Sequence, residues 1–312
     1  MGGKVFSVVM ADTPRPSLNR PLIAILFMSA TAVVLFPALN TVMKHLAMRY
    51  GVPEVIFIRS AGHMVFMLAL LMPGHGLDIF RTRRLDLQLV RSAMQGISTG
   101  FYISALTVIP LTTATTIAFT APLLVVALSG PMLGEKVGPR RWSAVLVGFI
   151  GALIIIRPGG MLIHWADFLV IGSAAFYAAY QLLTRRIALY DSSRTTGTYT
   201  ILVTLVVLAA VAPFFWTTPT GWVDWGLFAS MGIAGGLGHF FMVKAYQYGQ
   251  ASIVGPFDYG QLLGATILGA IVFSEFPDLW TWVGAAILIG SGLYVAHREA
   301  HLAKRRLAST SN

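Results

Sequence analysis

Residues 112–156 read TTATTIAFTAPLLVVALSGPMLGEKVGPRRWSAVLVGFIGALIII. Two apolar runs, 112–133 and 142–156, flank a short connection carrying Lys136, Arg140 and Arg141. A hydrocarbon core of about 30 Å needs about 20 apolar residues to cross it, so this stretch reads as two membrane spans joined by a basic turn. The second run has only 15 residues, near the lower limit for spanning, and its loss would invert every later element.

The rest of the chain follows the same pattern. Its 312 residues would otherwise suggest two soluble domains, but 56% are hydrophobic, 11% are charged and mean hydropathy is +0.74. Soluble domains carry roughly 25% Asp, Glu, Lys and Arg, so a soluble fold is excluded. The sequence predicts an all-α membrane protein with spans at 21–43, 53–72, 89–109, 112–133, 142–156, 165–183, 195–215, 227–248, 251–273 and 279–296. With no cysteine in the chain, disulfides, thiolate metal sites and cysteine nucleophiles are excluded together.

The net charge of +10 does not point to nucleic acid, which would need the cations gathered on one soluble face. They flank the spans instead. With the N-terminus inside, the cytoplasmic side takes Lys4, Arg15, Arg20, Arg81, Arg83, Arg84, Arg91, Lys136, Arg140, Arg141, Arg185, Arg186, Arg194, Arg298, Lys304, Arg305 and Arg306, or 17 of 22 Lys and Arg. The outer side receives Arg49 and Arg157, while Lys44, Arg59 and Lys244 fall within spans or at their ends. This is the positive-inside distribution, and it needs all ten spans. Both termini are expected in the cytoplasm and the spans in the cytoplasmic (inner) membrane. The polar, proline-bearing residues 1–20 do not resemble a cleaved signal peptide, and 298–312 form a basic tail.

Shifting the chain by 140 residues superposes Gly96 on Gly236, Phe101 on Phe241, Ala105 on Ala245, Leu123 on Leu263, Leu128 on Leu268, Glu135 on Glu275 and Trp142 on Trp282. Two five-helix repeats follow, 21–157 and 164–297. An odd number of spans per repeat places the second copy upside down, the inverted-repeat architecture of many secondary transporters. Gly96 with Gly100, Gly232 with Gly236 and Gly260 with Gly264 are spaced for close helix packing.

No Walker A, HExxH or Gly-rich dinucleotide motif occurs, and no cofactor or metal is expected. The chemistry must lie in polar groups at membrane depth, where an ionisable side chain is costly. Asp258 stands in Gly255-Pro256-Phe257-Asp258-Tyr259-Gly260-Gln261, where Pro256 and two glycines loosen the helix, and Lys244 lies at similar depth in the preceding span. The two could pair, either as a structural bridge between helices or as part of a substrate or proton site. His239 is a packing residue or a proton relay. Arg59 and His63, four apart, share a face, and Arg59 lies too far from the helix end to snorkel out. Lys44 is expected to snorkel to the outer interface. Asn40, Gln95, Tyr102, Tyr177, Tyr180, Gln181, Tyr246, Tyr259 and Gln261 could line a polar cavity with aromatic walls, and Glu135 and Glu275 read as helix-end contacts.

Leu111-Thr112-Thr113-Ala114-Thr115 leading to Pro122 and Gly134-Glu135, the Lys44 to Arg59 spacing and Gly148-Phe149-Ile150-Gly151 resemble the EamA-domain proteins of the drug/metabolite transporter superfamily over residues 22–296. Asn40-Thr41-Val42-Met43-Lys44, Arg141-Trp142, Lys244-Ala245-Tyr246 and Glu275-Phe276-Pro277-Asp278 look most like the bacterial branch that includes S-adenosylmethionine carriers, with riboflavin carriers more loosely related. The resemblance implies a carrier that works by alternating access, with a central cavity between its halves. The chain departs from the family in span one, where Phe36-Pro37 stands near the place of a tryptophan-glycine pair. It departs from the S-adenosylmethionine carriers at Asp258, where their resemblance implies a basic residue in the Pro-x-x-Tyr stretch.

The expected activity is therefore secondary transport of a small polar or amphipathic metabolite, cationic or S-adenosylmethionine-like, driven by proton coupling or exchange. A drug or amino-acid exporter of the same fold is the alternative. An intramembrane aspartyl enzyme would need two carboxylates at depth, and only Asp258 qualifies; a non-transporting sensor would need an appended soluble domain. The expected partners are a small-molecule substrate and the lipid bilayer. A homodimer is compatible with the sequence, but no exposed motif demands one.

Overall fold

The computed structural model describes residues 20–134, 137–157, 164–248 and 254–310. The helix-end contact expected of Glu135 lies outside these residues, as do the segment 1–19 and the side chain of Tyr246. Among the described residues the regular structure is entirely helical. In chain order the long elements are α1 (Pro21–Tyr50), α2 (Val52–His75), α3 (Leu85–Leu106), α4 (Leu111–Leu133), α5 (Pro139–Ile156), α6 (Trp165–Ile187), α7 (Arg194–Phe215), α8 (Trp222–Tyr248), α9 (Gly255–Phe273) and α10 (Leu279–Thr310).

Eight of these, all but α3 and α8, are long and apolar enough to cross a membrane. With 22 and 27 residues, α3 and α8 are about 33 and 40 Å long at 1.5 Å per residue. Length is therefore not what sets them apart. In α3, Gln88, Arg91, Ser92 and Ser98 are buried against neighbouring helices, and α8 carries five glycines besides His239 and Lys244. In α3 these inward-turned polar side chains lower the mean hydropathy, while Leu89, Val90 and Ile97 keep its outer face apolar.

Proline and glycine set the helix ends. Pro21 and Pro139 open α1 and α5, where a missing N–H costs no hydrogen bond. Gly51, at φ +84°, turns the chain from α1 into α2, and Gly134, at φ +71°, closes α4 with its N–H on the Gly130 carbonyl. Both positions need the left-handed backbone that glycine adopts freely. The first span runs seven residues beyond its expected end at Met43, because nothing before Gly51 stops it.

Within α1, residues Ala30–Leu35 widen into a π-helical segment just before Pro37. Proline removes the hydrogen bond to the carbonyl four residues back, that of Val33, and a π segment absorbs the misfit. The Val33 carbonyl lies against the Cα face of Gly264 in α9, where a methyl group would collide with it. Other glycines make similar close approaches. Gly62 in α2 meets Gly232 in α8, where a Cβ on either would come 3.0 Å from the partner's Cα, and Phe66 lies over Gly236. The small-residue spacing of α8 and α9 is thus a packing device. In α3 only Gly96 is closely covered, by Thr204; Gly100 has its nearest neighbour, Ile56, at 4.0 Å.

The most extensive pairings are α8 with α1, α3 with α6 and α5 with α10; α8 also packs on α2, α4 on α6, and α9 on α1. Polar links tie particular helix ends. Lys44 is 3% exposed and does not snorkel as its position near a span end suggested. Its Nζ donates to Glu275 Oε1 at 2.5 Å and to the Ile109 carbonyl at 2.8 Å, while Glu275 Oε2 accepts the N–H of Leu111 at 2.9 Å. The cation stays inside because the carboxylate and the carbonyl reach it there. One carboxylate thereby joins α1 to the C-terminal end of α9 and caps the N-terminus of α4, where negative charge is favoured.

Nearby, Asp224 at the start of α8 accepts from Tyr50 and from Arg49, Glu54 accepts the Thr217 N–H at 2.9 Å, and Arg157 pairs with Asp278. Asp191, between α6 and α7, accepts from Thr82, the Arg83 N–H and Gln88. Burial alone would raise the Asp191 carboxyl, but the Arg83 N–H, the Thr82 hydroxyl and the Gln88 amide hold it below the usual carboxylate range. Its stabilisation is present above that range and is lost as pH falls through the depressed value.

Two outcomes follow for thermal unfolding in detergent. Glu275→Gln leaves Lys44 buried without its charge partner and destabilises by about 3–5 kcal/mol, whereas the double change to Lys44→Met and Glu275→Gln recovers much of the loss. Gly264→Ala, whose methyl meets the Val33 carbonyl and Pro37, lowers the melting temperature, and Gly290→Ala, which faces open space, does not.

Candidate functional site

The residues singled out from the sequence fall into three groups. The first centres on Arg59 in α2. His63, one turn on, stacks on His239 of α8 with ring centroids 5.3 Å apart, and the Phe36 ring meets His239 edge-on at 5.4 Å. Arg59 lies within electrostatic reach of both imidazoles. Its Nε is enclosed, and among the described residues neither a carboxylate nor any hydrogen-bond acceptor partners it; the neighbouring Ser60 hydroxyl is likewise enclosed and unpartnered. Close helix packing assembles this group, since Gly62 against Gly232 brings α2 onto α8 and Gly238 admits the Phe36 ring.

The second group lies at the entry of α9. Gly255–Tyr259 form a 3-10 turn before the α-helix starts at Gly260, because Pro256 and two glycines weaken the helical hydrogen-bond ladder there. Asp258 is part-buried and accepts from Gln261 Nε2 at 2.7 Å. Tyr259 packs its hydroxyl end on Gly292 of α10, and its ring meets Phe119 at 4.8 Å. Phe119 marks the interruption in α4 between Ala118 and Ala121, ahead of Pro122. Two interrupted helices therefore touch, and the enclosed Thr120 hydroxyl at the same break has no partner.

The π segment of α1 stands between these groups, with Phe36 on the α8 side and Val33 and Pro37 against Gly260 and Gly264 on the α9 side. Lys244 does not pair with Asp258; its Nζ lies over the Phe240 ring at 5.5 Å. In α3, Gln95 donates weakly to Thr99 at 3.4 Å, with its Oε1 enclosed and unpartnered, and the Tyr102 hydroxyl meets Thr115 Oγ1 of α4 at 3.2 Å. Asn40 is part-buried in α1.

The third group is built around Arg91. The sequence placed Arg91 among the cytoplasmic cations, yet it is fully buried. Its guanidinium donates to Gln88 Oε1 at 3.3 Å, Thr184 Oγ1 at 3.2 Å, Thr200 Oγ1 at 2.9 Å and the Thr196 carbonyl. It also lies 5.0 Å from the centre of the Tyr180 ring, which stacks on Tyr177. Tyr180 thus belongs to a structural clamp between α3, α6 and α7. The threonines at 184, 196 and 200 were the available signal, since they supply acceptors on two helices facing one guanidinium. Separately, an apolar cavity of about 260 Å³ between α2, α3 and α7, lined by residues that include Ile56, Gly96, Gly100, Val203 and Leu208, contains none of the predicted polar residues.

A model of the EamA-like transporter family matches residues 22–157 and 164–296. The chain belongs to that family. It is 31% identical over 290 residues to the riboflavin transporter of Vibrio cholerae, covering 92% of this chain and 97% of that one. It is 30% identical over 273 residues to the S-adenosylmethionine uptake transporter of Rickettsia felis, covering 86% and 90%, and 27% identical over 261 residues to the pseudopaline exporter CntI of Pseudomonas aeruginosa, covering 81% and 89%. A solved crystal structure shares the fold, with a TM-score of 0.59 at 20% identity over 88% of this chain and 95% of that one. This EamA-like protein is accordingly a multi-pass membrane transporter of a small molecule. The riboflavin and S-adenosylmethionine relatives stand at nearly equal identity, so neither name fixes its substrate.

Arg91 and Arg59 should respond oppositely to substitution in this transporter. Arg91→Ala strands four acceptors and opens a cavity, and is expected to cost about 3 kcal/mol of stability in thermal unfolding. Arg91→Lys restores little, because an ammonium cannot reproduce the guanidinium fork.

Proposed function

We propose that the chain is a secondary carrier that moves a small polar or amphipathic metabolite across the cytoplasmic membrane by alternating access. In this reading α3 and α8 also span, giving ten transmembrane helices in two inverted five-helix repeats over 21–157 and 164–297, with both termini in the cytoplasm. The pairings support this. Counting α1–α5 as one half and α6–α10 as the other, α3 with α6 corresponds to α8 with α1, and α4 with α6 corresponds to α9 with α1. The polar links also join only loops that the charge distribution assigns to one side: Arg49 with Asp224, Glu54 with Thr217, Arg157 with Asp278, and Thr82 with Asp191. Nothing in the reading requires a second copy of the chain.

The observation that carries the site assignment is the contact between interrupted helices from the two halves, Phe119 of α4 against Tyr259 of α9. Inverted-repeat carriers hold their substrate where broken helices meet near the midplane, since exposed backbone and unpartnered polar groups are tolerated only beside a cavity. The substrate site lies there, between the Arg59, His63 and His239 group and the Asp258 and Gln261 group. Gln95, Tyr102, Tyr259, Asn40 and Lys244 furnish its polar and aromatic wall, while Tyr180 contributes through the Arg91 clamp. Asp258 carries the exchangeable proton or meets a cationic group of the substrate. The names of the relatives, covering riboflavin, S-adenosylmethionine and pseudopaline, support a site that serves metabolites of this size.

The test is solute counterflow in proteoliposomes with radiolabelled riboflavin, S-adenosylmethionine and other polar metabolites. The wild type accumulates at least one labelled solute against trapped unlabelled solute. Asp258→Asn folds with an unchanged melting profile and loses either transport or its dependence on a pH gradient. Unaltered transport and pH dependence in that variant would remove Asp258 from the site.

A further inference from the structure

Among the described cations at membrane depth, Arg59 has an enclosed donor that nothing accepts. Arg91 is fully buried and saturated with acceptors, and Lys44 is neutralised by Glu275. Lys244 at least rests on the Phe240 ring. Arg59 has an enclosed Nε with no acceptor and no carboxylate within ion-pair distance among the described residues. Its companions are two imidazoles, an aromatic ring and the unpartnered Ser60 hydroxyl, and none of them brings negative charge. Arg59 is part-buried, with its Nε enclosed; holding a guanidinium at membrane depth without an acceptor is unfavourable, and Lys44 and Arg91 show that this fold supplies partners where the role is structural.

We propose that the missing counter-ion belongs to the substrate: the transported molecule carries a carboxylate or phosphate that docks on Arg59, with His63, His239 and Ser60 as further hydrogen-bonding groups. This rests on the carrier reading and sharpens it, by fixing the charge of the end of the substrate that faces α2 and α8. An oxyanion suits the site because the guanidinium offers parallel N–H donors that match two oxygens of one planar or tetrahedral group. The stacked imidazoles can each donate from a ring nitrogen. Asp258 is paired with Gln261 and not with Arg59 or Lys244. An anionic end at α2 and α8 and a cationic or proton-bearing end at α9 therefore do not compete for the same groups, and a zwitterion can satisfy both.

The test begins with the ligand-free protein. If Arg59 awaits an external anion, Arg59→Met removes an unsatisfied charge and leaves the melting temperature in anion-poor buffer unchanged or higher by about 3 °C. A lower melting temperature, or failure to fold, means that the fold itself partners Arg59 and overturns the proposal. The second arm compares matched probes that differ only in the anionic group: riboflavin 5′-phosphate with riboflavin, and S-adenosylmethionine with its decarboxylated form.

Ligand binding to the folded state raises apparent stability by mass action. The anionic member of at least one pair is expected to stabilise the wild type at tenfold lower concentration than its counterpart without the anionic group. Arg59→Met loses that difference and Asp258→Asn keeps it. Equal shifts within both pairs, or no shift from either anionic member, overturn the anion assignment. Such a result leaves the carrier reading to the counterflow experiment, which fails independently if no solute is exchanged.

Discussion

Inside a bilayer there is no water to complete an unmet hydrogen bond or to solvate a stray charge, so each polar group must find its partner in the protein or in what the protein binds. This constraint sorts the polar residues of the chain. Lys44 finds Glu275 and a carbonyl, and in doing so joins α1, α4 and α9 at one end of the bundle. Arg91 finds acceptors on three helices. The groups left over among the described residues are Arg59 Nε, the Ser60, Thr112 and Thr120 hydroxyls, Gln95 Oε1 and Glu54 Oε1. Glu54 and Thr112 stand at the starts of α2 and α4, whereas the other four lie further along their helices, so incomplete pairing together with depth picks out the candidate functional groups.

The backbone shows the same division. α5 and α10 are unbroken and pack along their lengths, with Gly151 against Gly284 at their crossing. Irregular backbone instead lies in α1, α4, α7 and α9, as a π segment before Pro37, a break at Phe119, a break between Tyr199 and Leu202 and a 3-10 entry at Gly255. Each weakens the local hydrogen-bond ladder, and glycines keep the neighbouring backbones close enough to support it. Segments of this kind absorb changes in backbone angle at low cost, as hinges in a carrier must. Lys44 and Glu275 connect α1 and α9 at one end, so movement between those helices has to strain or break that pair.

Much of this architecture was legible in the sequence, because span length, basic loops and glycine spacing act locally and leave periodic traces. The apolar runs locate the helices, although their ends depend on stop signals. The first span passes Met43 because only Gly51 offers a left-handed turn. Lys44 was misread, and the burial of Arg91 was not foreseen, for one reason: a cation near a span end looks the same in sequence whether it snorkels to water or meets a partner on a distant helix. Glu275 lies 231 residues from Lys44, and Thr184 lies 93 residues from Arg91. Arg59 with His63 was visible as a shared helix face. That His239 would complete the group depends on Gly62 and Gly232 letting two helices touch, which no local pattern encodes.

In a carrier that works by alternating access, the site around α2, α8 and α9 opens in turn to the two sides of the membrane. The natural absence of cysteine from the chain permits a direct measurement. A single cysteine in place of Ser60, beside Arg59, can be probed with a membrane-impermeant thiol reagent in vesicles of each orientation. Alternating access predicts modification from both sides, each suppressed by a transported solute. Modification from one side only, unaffected by any solute that the protein exchanges, would contradict it.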